Sequence, residues 1–185
     1  MDLTLAASLA RHLGTDEKER VDLETMREFA GSLAAPFSRT QGPAHFTGSA
    51  VVVTPDGAQV LLVLHAKLGR WLQPGGHADA ADGGSMANTA LREAREETGL
   101  EVALHDSAPR PLDVDVHVIP ARRDEPEHRH LDVRYLVVAS NPAALAHDPL
   151  ESHGAQWLSW EDALARADEA PLRRLLEKAR AALQK

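Results

Sequence analysis

The sequence contains no cysteine among its 185 residues, which excludes disulfide bonds and any chemistry that requires a thiolate. Aromatic residues make up only 4% of the chain, so a core has to be built mainly from leucine, valine and alanine. Basic residues are fewer than acidic ones, and the net charge of −8 argues against nucleic acid as the main partner. An anionic small molecule remains compatible with this charge if metal ions offset it.

Long apolar runs are also missing. No segment approaches the roughly 18 apolar residues that a membrane-spanning helix needs. The apolar stretch at the N-terminus is interrupted by Arg11 and His12, which is unlike a signal peptide. We therefore expect a cytoplasmic protein without a membrane partner.

The length and the apolar fraction of 43% fit one domain with an extension. Residues 1–40 predict two amphipathic helices and a turn-rich connector, and they are too few to bury a core alone. We therefore divide the chain into a helical extension, residues 1–40, and a main domain, residues 41–185. The apolar faces of the extension predict that it packs on the domain or forms a homodimer contact.

The main domain mixes strands and helices without a regular βαβ pattern. Two apolar runs flank the turn sequence Thr54–Gly57 and predict a β-hairpin. Helices are predicted at residues 86–98, 161–167 and 171–184, and residues 67–85 read as a glycine-rich loop. This order predicts an α/β fold in which helices cover a mixed sheet.

The stretch LREAREETGL, residues 91–100, places Glu93, Glu96 and Glu97 within about one helical turn. Like charges at this spacing destabilise an isolated helix by about 0.2–0.5 kcal/mol per pair. Two kinds of partner offset such repulsion. One is a nearby arginine, such as Arg92, and the other is a divalent cation.

The wider region PGGHADAADGGSMANTALREAREETGL resembles the Nudix box of the Nudix hydrolases, G-x5-E-x7-R-E-U-x-E-E-x-G-U, where U is aliphatic. The second half of that pattern is complete, and the resemblance covers roughly residues 45–170. It implies a Nudix-type α/β/α sandwich with a mixed β-sheet. It also implies hydrolysis of a phosphoanhydride bond in a nucleoside diphosphate linked to another moiety.

The resemblance implies a site as well. Glu93, Glu96, Glu97 and the backbone of Gly76 would hold Mg²⁺ or Mn²⁺, which prefer oxygen ligands. Arg92 would orient a carboxylate. An acidic residue in a later loop assists as base or ligand in many relatives, which makes Glu151 the candidate, with His153 as the alternate.

One position departs from the box. Gly84 stands where the pattern has its first glutamate, and the loop is two residues longer than the pattern. Either the first carboxylate is lost, or Asp79 or Asp82 replaces it in its role, and the number of metal ions stays open.

A polyphosphate also needs cations other than the metal. Lys67 and Arg70 precede the double glycine, and Arg134 lies on a predicted strand, so we expect these three residues to contact the substrate. His77 directly follows the double glycine and is a fourth candidate.

Histidines form a second pattern. His128, His130 and Asp132 alternate along one predicted strand, so they share a face if the strand extends that far. The placement of His45, His77, His130 and Asp132 is similar to a second metal site in isopentenyl diphosphate isomerase, which shares the Nudix fold. Alternatively, these histidines line the substrate pocket or are exposed.

Two other functions stay open. The isomerase uses a catalytic cysteine, and its absence here weighs against isomerisation. A Nudix-like sensor that binds a nucleotide without hydrolysis usually loses part of the glutamate set, which this sequence keeps. The expected partner is therefore a small nucleotide or another diphosphate that the enzyme hydrolyses.

Overall fold

A computed structural model describes residues 5–39, 42–122, 126–150 and 152–184. The helices are α1 (Leu5–Arg11), α2 (Glu17–Ser32), α3 (Met86–Thr98), α4 (Trp160–Arg166) and α5 (Ala170–Leu183). The strands are β1 (Ala44–Val53), β2 (Gln59–His65), β3 (Trp71–Leu72), β4 (Gly75–His77), β5 (Val102–Leu104), β6 (Asp113–Ile119), β7 (His128–Ala139) and β8 (Ser152–Ser159). No helix in these ranges is long and apolar enough to cross a membrane.

The sheet is mixed and is organised around β1. Strand β1 runs parallel to β7 along its whole length, from Ala44 beside Arg129 to Val53 beside Val138. Its other edge pairs antiparallel with β4 and then with β2. Strands β5 and β6 pair antiparallel with β7, and β3 and β8 pair antiparallel with β2.

Helices cover both faces of this sheet. Alternation along β1 sends Phe46 and Val52 into one buried cluster, which also holds apolar residues of α1, α2 and α3. It sends Val51 and Val53 into a second buried cluster with α4 and α5. The predicted α/β/α sandwich is therefore confirmed.

Helix α3 lies unusually close to β1. A Cβ atom added at Gly48 would come within 2.6 Å of the Met86 carbonyl oxygen, so only glycine permits this approach. The helix begins after Ser85, whose side chain accepts from the Asn88 amide, and ends at Gly99, whose φ is 65°. The helix predicted at residues 86–98 is thus present with those bounds.

The region predicted as one glycine-rich loop contains more structure than expected. It includes strands β3 and β4 and a 3₁₀ turn, Ala80–Asp82. These strands have two and three residues, too few to show an alternating pattern in sequence. They form because the edges of β1 and β2 offer unpaired backbone groups to the chain that passes beside them.

The N-terminal helices pack against the rest of the chain. Leu9, Leu23 and Met26 are buried in the cluster that contains α3. The Glu19 carboxylate is fully buried and binds Lys178 of α5 at 2.5 Å. Charge pairing and apolar burial therefore both attach the extension to the domain.

Candidate active site

Strand β4 lies directly against the carboxylates of α3. The Gly75 amide donates a hydrogen bond of 2.7 Å to Glu97 Oε1. A Cβ atom added at Gly76 would lie 2.6 Å from Glu93 Oε2, so a side chain there would displace that carboxylate. The double glycine therefore allows backbone and carboxylates to meet.

Arg92 reduces the repulsion between the neighbouring carboxylates of α3. Its Nη1 donates to Glu93 Oε1 at 2.9 Å and to Glu96 Oε2 at 2.7 Å. Glu97 is buried and has the Gly75 amide as its donor, whereas the Glu96 side chain is 58% exposed. The arginine thus offsets two of the three carboxylates, and their oxygen atoms remain suitable ligands for a hard divalent cation.

Arg92 is itself held by Asp82. The Nε and Nη2 atoms of Arg92 donate to the two oxygens of Asp82, each at 3.0 Å, and Nη2 also donates to the His77 carbonyl at 2.7 Å. Burial raises the pKa of Asp82, but hydrogen bonds from Arg92, the Asp79 amide and Thr89 outweigh it, so the net pKa is lowered. Asp82 is therefore ionised at neutral pH.

Asp79 and Asp82, the two candidates to replace the glutamate absent at position 84, have different partners in the structure. The Asp79 side chain accepts from the Ala81 amide at 2.9 Å and begins the 3₁₀ turn. Asp82 alone of these two pairs with Arg92.

Five histidines, His45, His77, His117, His128 and His130, form what we call the histidine cluster. Strand register explains it, because His45 on β1 and His117 on β6 both lie beside His130 on β7. The ring centroid of His45 lies 4.8–4.9 Å from those of His77, His128 and His130. Nε2 atoms of His77 and His130 are 3.2 Å apart.

The cluster differs from the histidine set expected from the sequence. His128 was seen to alternate with His130 but was not placed in the metal set, and His117 was missed. Finding His117 needs the pairing of β6 with β7, which no single-strand pattern supplies.

Asp132 is expected among the metal ligands, and in the structure its carboxylate has other partners. It accepts from Thr47 Oγ1 at 3.0 Å, Ser49 Oγ at 2.8 Å and Arg134 Nε at 2.8 Å. A metal ion would compete with these donors for the carboxylate oxygens, so the role of Asp132 as a ligand stays a prediction.

Arg134 was expected to contact substrate, and the structure instead surrounds it with carboxylates. Its side chain is 5% exposed and lies 2.8–3.3 Å from Asp113, Asp115 and Asp132, a group we call the aspartate–arginine network. We correct the expectation, because a buried guanidinium with three anionic partners is not presented to a ligand.

The remaining predicted residues lie outside this region or outside the described ranges. Lys67 is exposed between β2 and β3. Arg70 pairs with Asp168 and Glu169 beside α5. Within the described ranges no hydrogen bond or ion pair joins either cation to α3. Glu151 lies outside the described residues, so its predicted role stays a prediction.

These features together define an α/β/α domain whose acidic helix packs against a double-glycine strand. The family model of the NUDIX domain matches residues 44–179, and the chain belongs to this family. The resemblance read from the sequence is thereby confirmed. No curated protein matches the chain.

Solved structures share the fold. An Ap4A hydrolase of C. elegans in a binary complex has 23% identity and a TM-score of 0.59, over 75% of this chain and 97% of that chain. A NUDIX-family hydrolase from Clostridium perfringens has 28% identity and a TM-score of 0.53, over 76% and 96%. The NUDIX domain of Shewanella oneidensis NrtR, complexed with ADP ribose, has 22% identity and a TM-score of 0.57, over 84% and 97%.

Proposed function

We propose that this protein is a divalent-metal-dependent hydrolase that cleaves a phosphoanhydride bond in a nucleoside diphosphate linked to another moiety. The observation that carries the proposal is the contact of the α3 carboxylates with the double-glycine strand, through the Glu97–Gly75 hydrogen bond of 2.7 Å. The membership of the NUDIX family and the similarity to a NUDIX hydrolase support it.

The donor set fits Mg²⁺ or Mn²⁺. Glu93, Glu96, Glu97 and the Gly76 carbonyl offer only oxygen atoms, and the space beside Glu93 is one that a Cβ at Gly76 would fill. When bound, such an ion neutralises phosphate charge and lowers the pKa of a bound water. We therefore assign these four residues to the metal.

The protein's own groups prepare this site. Arg92 keeps Glu93 and Glu96 in place by donating to both, and the Gly75 amide fixes Glu97. Asp82 in turn fixes Arg92 through two parallel hydrogen bonds. A carboxylate held in this way needs little rearrangement to accept a ligand or a proton, which is how a preorganised site lowers a barrier.

A small nucleotide is the proposed partner. The similar structures include an Ap4A hydrolase and a NUDIX domain complexed with ADP ribose. Ap4A and ADP ribose are both nucleotides, and they differ in shape. Among the predicted substrate contacts, His77 is the one beside α3, because its carbonyl accepts from Arg92. Lys67 and the loop residue Glu151 keep their proposed roles as a phosphate contact and a base.

The test is a hydrolysis screen over nucleoside triphosphates, dinucleotides, sugar nucleotides and coenzyme thioesters, each with Mg²⁺ and with Mn²⁺. The products are separated by ion-exchange chromatography, because cleavage of a nucleoside diphosphate linked to another moiety gives two phosphomonoesters and no free phosphate. We expect turnover of at least one class that Glu97→Gln lowers by orders of magnitude while the variant stays folded. Glu101→Gln, on an exposed residue just after α3, is the control and should match wild type.

The sensor alternative gives a different result in the same screen. A sensor would bind a nucleotide in a calorimetric titration and form no hydrolysis product with either metal. Wild-type turnover in Glu97→Gln would contradict the proposed site.

A further inference from the structure

The histidine cluster has a centre that the protein alone leaves unsatisfied. His45 is 1% exposed, and neither of its ring nitrogens has a hydrogen-bond partner among the described residues. A neutral imidazole carries one donor and one acceptor, and burial without partners is unfavourable for both. The rings of His77, His128 and His130 have centroids 4.8–4.9 Å from that of His45, so the space around it is lined by groups that coordinate metals.

His128, a neighbour of His45, is held in the tautomer that a metal ligand needs. The Nδ1 atom of His128 lies 2.9 Å from the Pro126 carbonyl oxygen, an acceptor only, so the ring donates there. The lone pair of the neutral ring is then on Nε2. Donation from the far nitrogen to a carbonyl is the usual arrangement behind a metal-bound histidine.

The nitrogens also converge. Ligand atoms of His45, His128 and His130 lie within 4.8 Å of one another. An imidazole nitrogen binds Zn²⁺ at about 2.0–2.1 Å, so small ring movements bring three nitrogens around one ion. Because His45 and His130 are neighbours across β1 and β7, the sheet itself fixes this arrangement.

We propose that His45, His128 and His130 form a binding site for a borderline divalent transition metal of the Zn²⁺ class, separate from the carboxylates of α3. Imidazole ligands suit Zn²⁺ and its neighbours, whereas Mg²⁺ prefers oxygen. His77 is within reach as a fourth ligand, since its Nε2 lies 3.2 Å from that of His130. The site does not depend on the hydrolase assignment.

The test uses the full chain, stripped with EDTA and titrated with ZnCl₂ by calorimetry in excess Mg²⁺, which occupies oxygen-rich sites. We expect one Zn²⁺ per chain, and Co²⁺ in its place should give visible absorption bands of nitrogen coordination. His45→Phe and His130→Gln should each weaken Zn²⁺ binding at least about 100-fold, since loss of a residue behind a ligand already costs about 10–100-fold.

His105→Gln is the matched control, because that ring contacts Ser107 and lies outside the cluster. It should bind Zn²⁺ as wild type does, and so should Glu97→Gln. If His45→Phe fails to fold, the Zn²⁺ affinities of His128→Gln and His130→Gln test the proposal instead. Three results would each overturn the proposal. They are the absence of stoichiometric Zn²⁺ binding in wild type, Zn²⁺ binding that survives the histidine substitutions, and Zn²⁺ binding that is lost in Glu97→Gln.

Discussion

Asp82 and Arg92 form a bidentate salt bridge, in which each carboxylate oxygen lies 3.0 Å from a guanidinium nitrogen. The contact joins the 3₁₀ turn to α3 and fixes the arginine that contacts both Glu93 and Glu96. A carboxylate ten residues before Arg92 thus supports the acidic helix, although the box pattern has its glutamate at the position of Gly84.

We expect Asp82→Asn to lower activity about 10–100-fold, the usual effect of losing a group behind metal ligands. The amide cannot accept both hydrogen bonds, so Arg92 and the glutamates it contacts lose their fixed positions. Activity should be measured against Mg²⁺ concentration, and the concentration for half-maximal activity should rise.

Asp79→Asn is the control, because Asp79 is exposed and only begins the 3₁₀ turn. It should leave the metal dependence unchanged. An unchanged metal dependence in Asp82→Asn, with only a lower melting temperature, would restrict Asp82 to a structural role.

Gly76→Ala tests the close approach of backbone and carboxylate. The added methyl group would lie 2.6 Å from the Glu93 carboxylate, and the flexible end of that side chain can move away. We expect a folded protein with kcat reduced about 100-fold, since a displacement of about 1 Å at reacting groups has that effect. Circular dichroism measures whether the variant is folded, and steady-state kinetics measures kcat.

Gly154→Ala serves as the comparison for Gly76→Ala, because a Cβ there meets nothing within 4 Å. It should keep wild-type kinetics. Full activity in Gly76→Ala would show that the glutamate position beside it is not important for turnover.

Acid should loosen the attachment of the extension. Burial raises the pKa of Glu19, but hydrogen bonds from His12 and Lys178 outweigh it and hold the pKa well below its ordinary value. A carboxyl with a lowered pKa stabilises the fold above its unfolded pKa of about 4.3, and this contribution is lost as pH falls toward the folded pKa. Stability should therefore fall below about pH 4.

Urea unfolding between pH 3 and 7 measures this effect. In Glu19→Gln the slope of stability against pH below about pH 4 should be shallower by up to about 1.4 kcal/mol per pH unit, the value for one proton. Glu17→Gln, on an exposed residue of the same helix turn, should keep the wild-type slope. Equal slopes in all three proteins would contradict the assignment.

Local signals predicted the parts of this protein that depend on neighbouring residues in sequence. Helix α3 is predicted at residues 86–98 and has those bounds, and the residues that cap it, Ser85 and Gly99, are its direct neighbours in sequence. The strand predicted to carry His128, His130 and Asp132 extends that far, because β7 begins at His128, so the three residues share a face. The alternation did not predict the partners across the sheet, because Asp113 lies opposite Arg134 and His117 opposite His130 only once β6 has paired in that register.

Arg134 is where the sequence and the structure lead to different experiments. As a substrate contact, Arg134 would affect KM and leave stability unchanged. In the structure it forms ion pairs with three buried aspartates of the aspartate–arginine network, so Arg134→Met should lower the free energy of unfolding by about 3–5 kcal/mol. Urea unfolding measures the loss, and kinetics on the folded fraction should show KM near the wild-type value.

Arg70→Met is the matched variant, since Arg70 forms ion pairs that are about half exposed. Exposed pairs contribute about 0–1 kcal/mol, so its stability should be close to wild type. A stable Arg134→Met protein with a raised KM would reverse the argument. The substrate would then reach β7 past the carboxylates that now surround the guanidinium, and the pocket would extend along the sheet beyond α3.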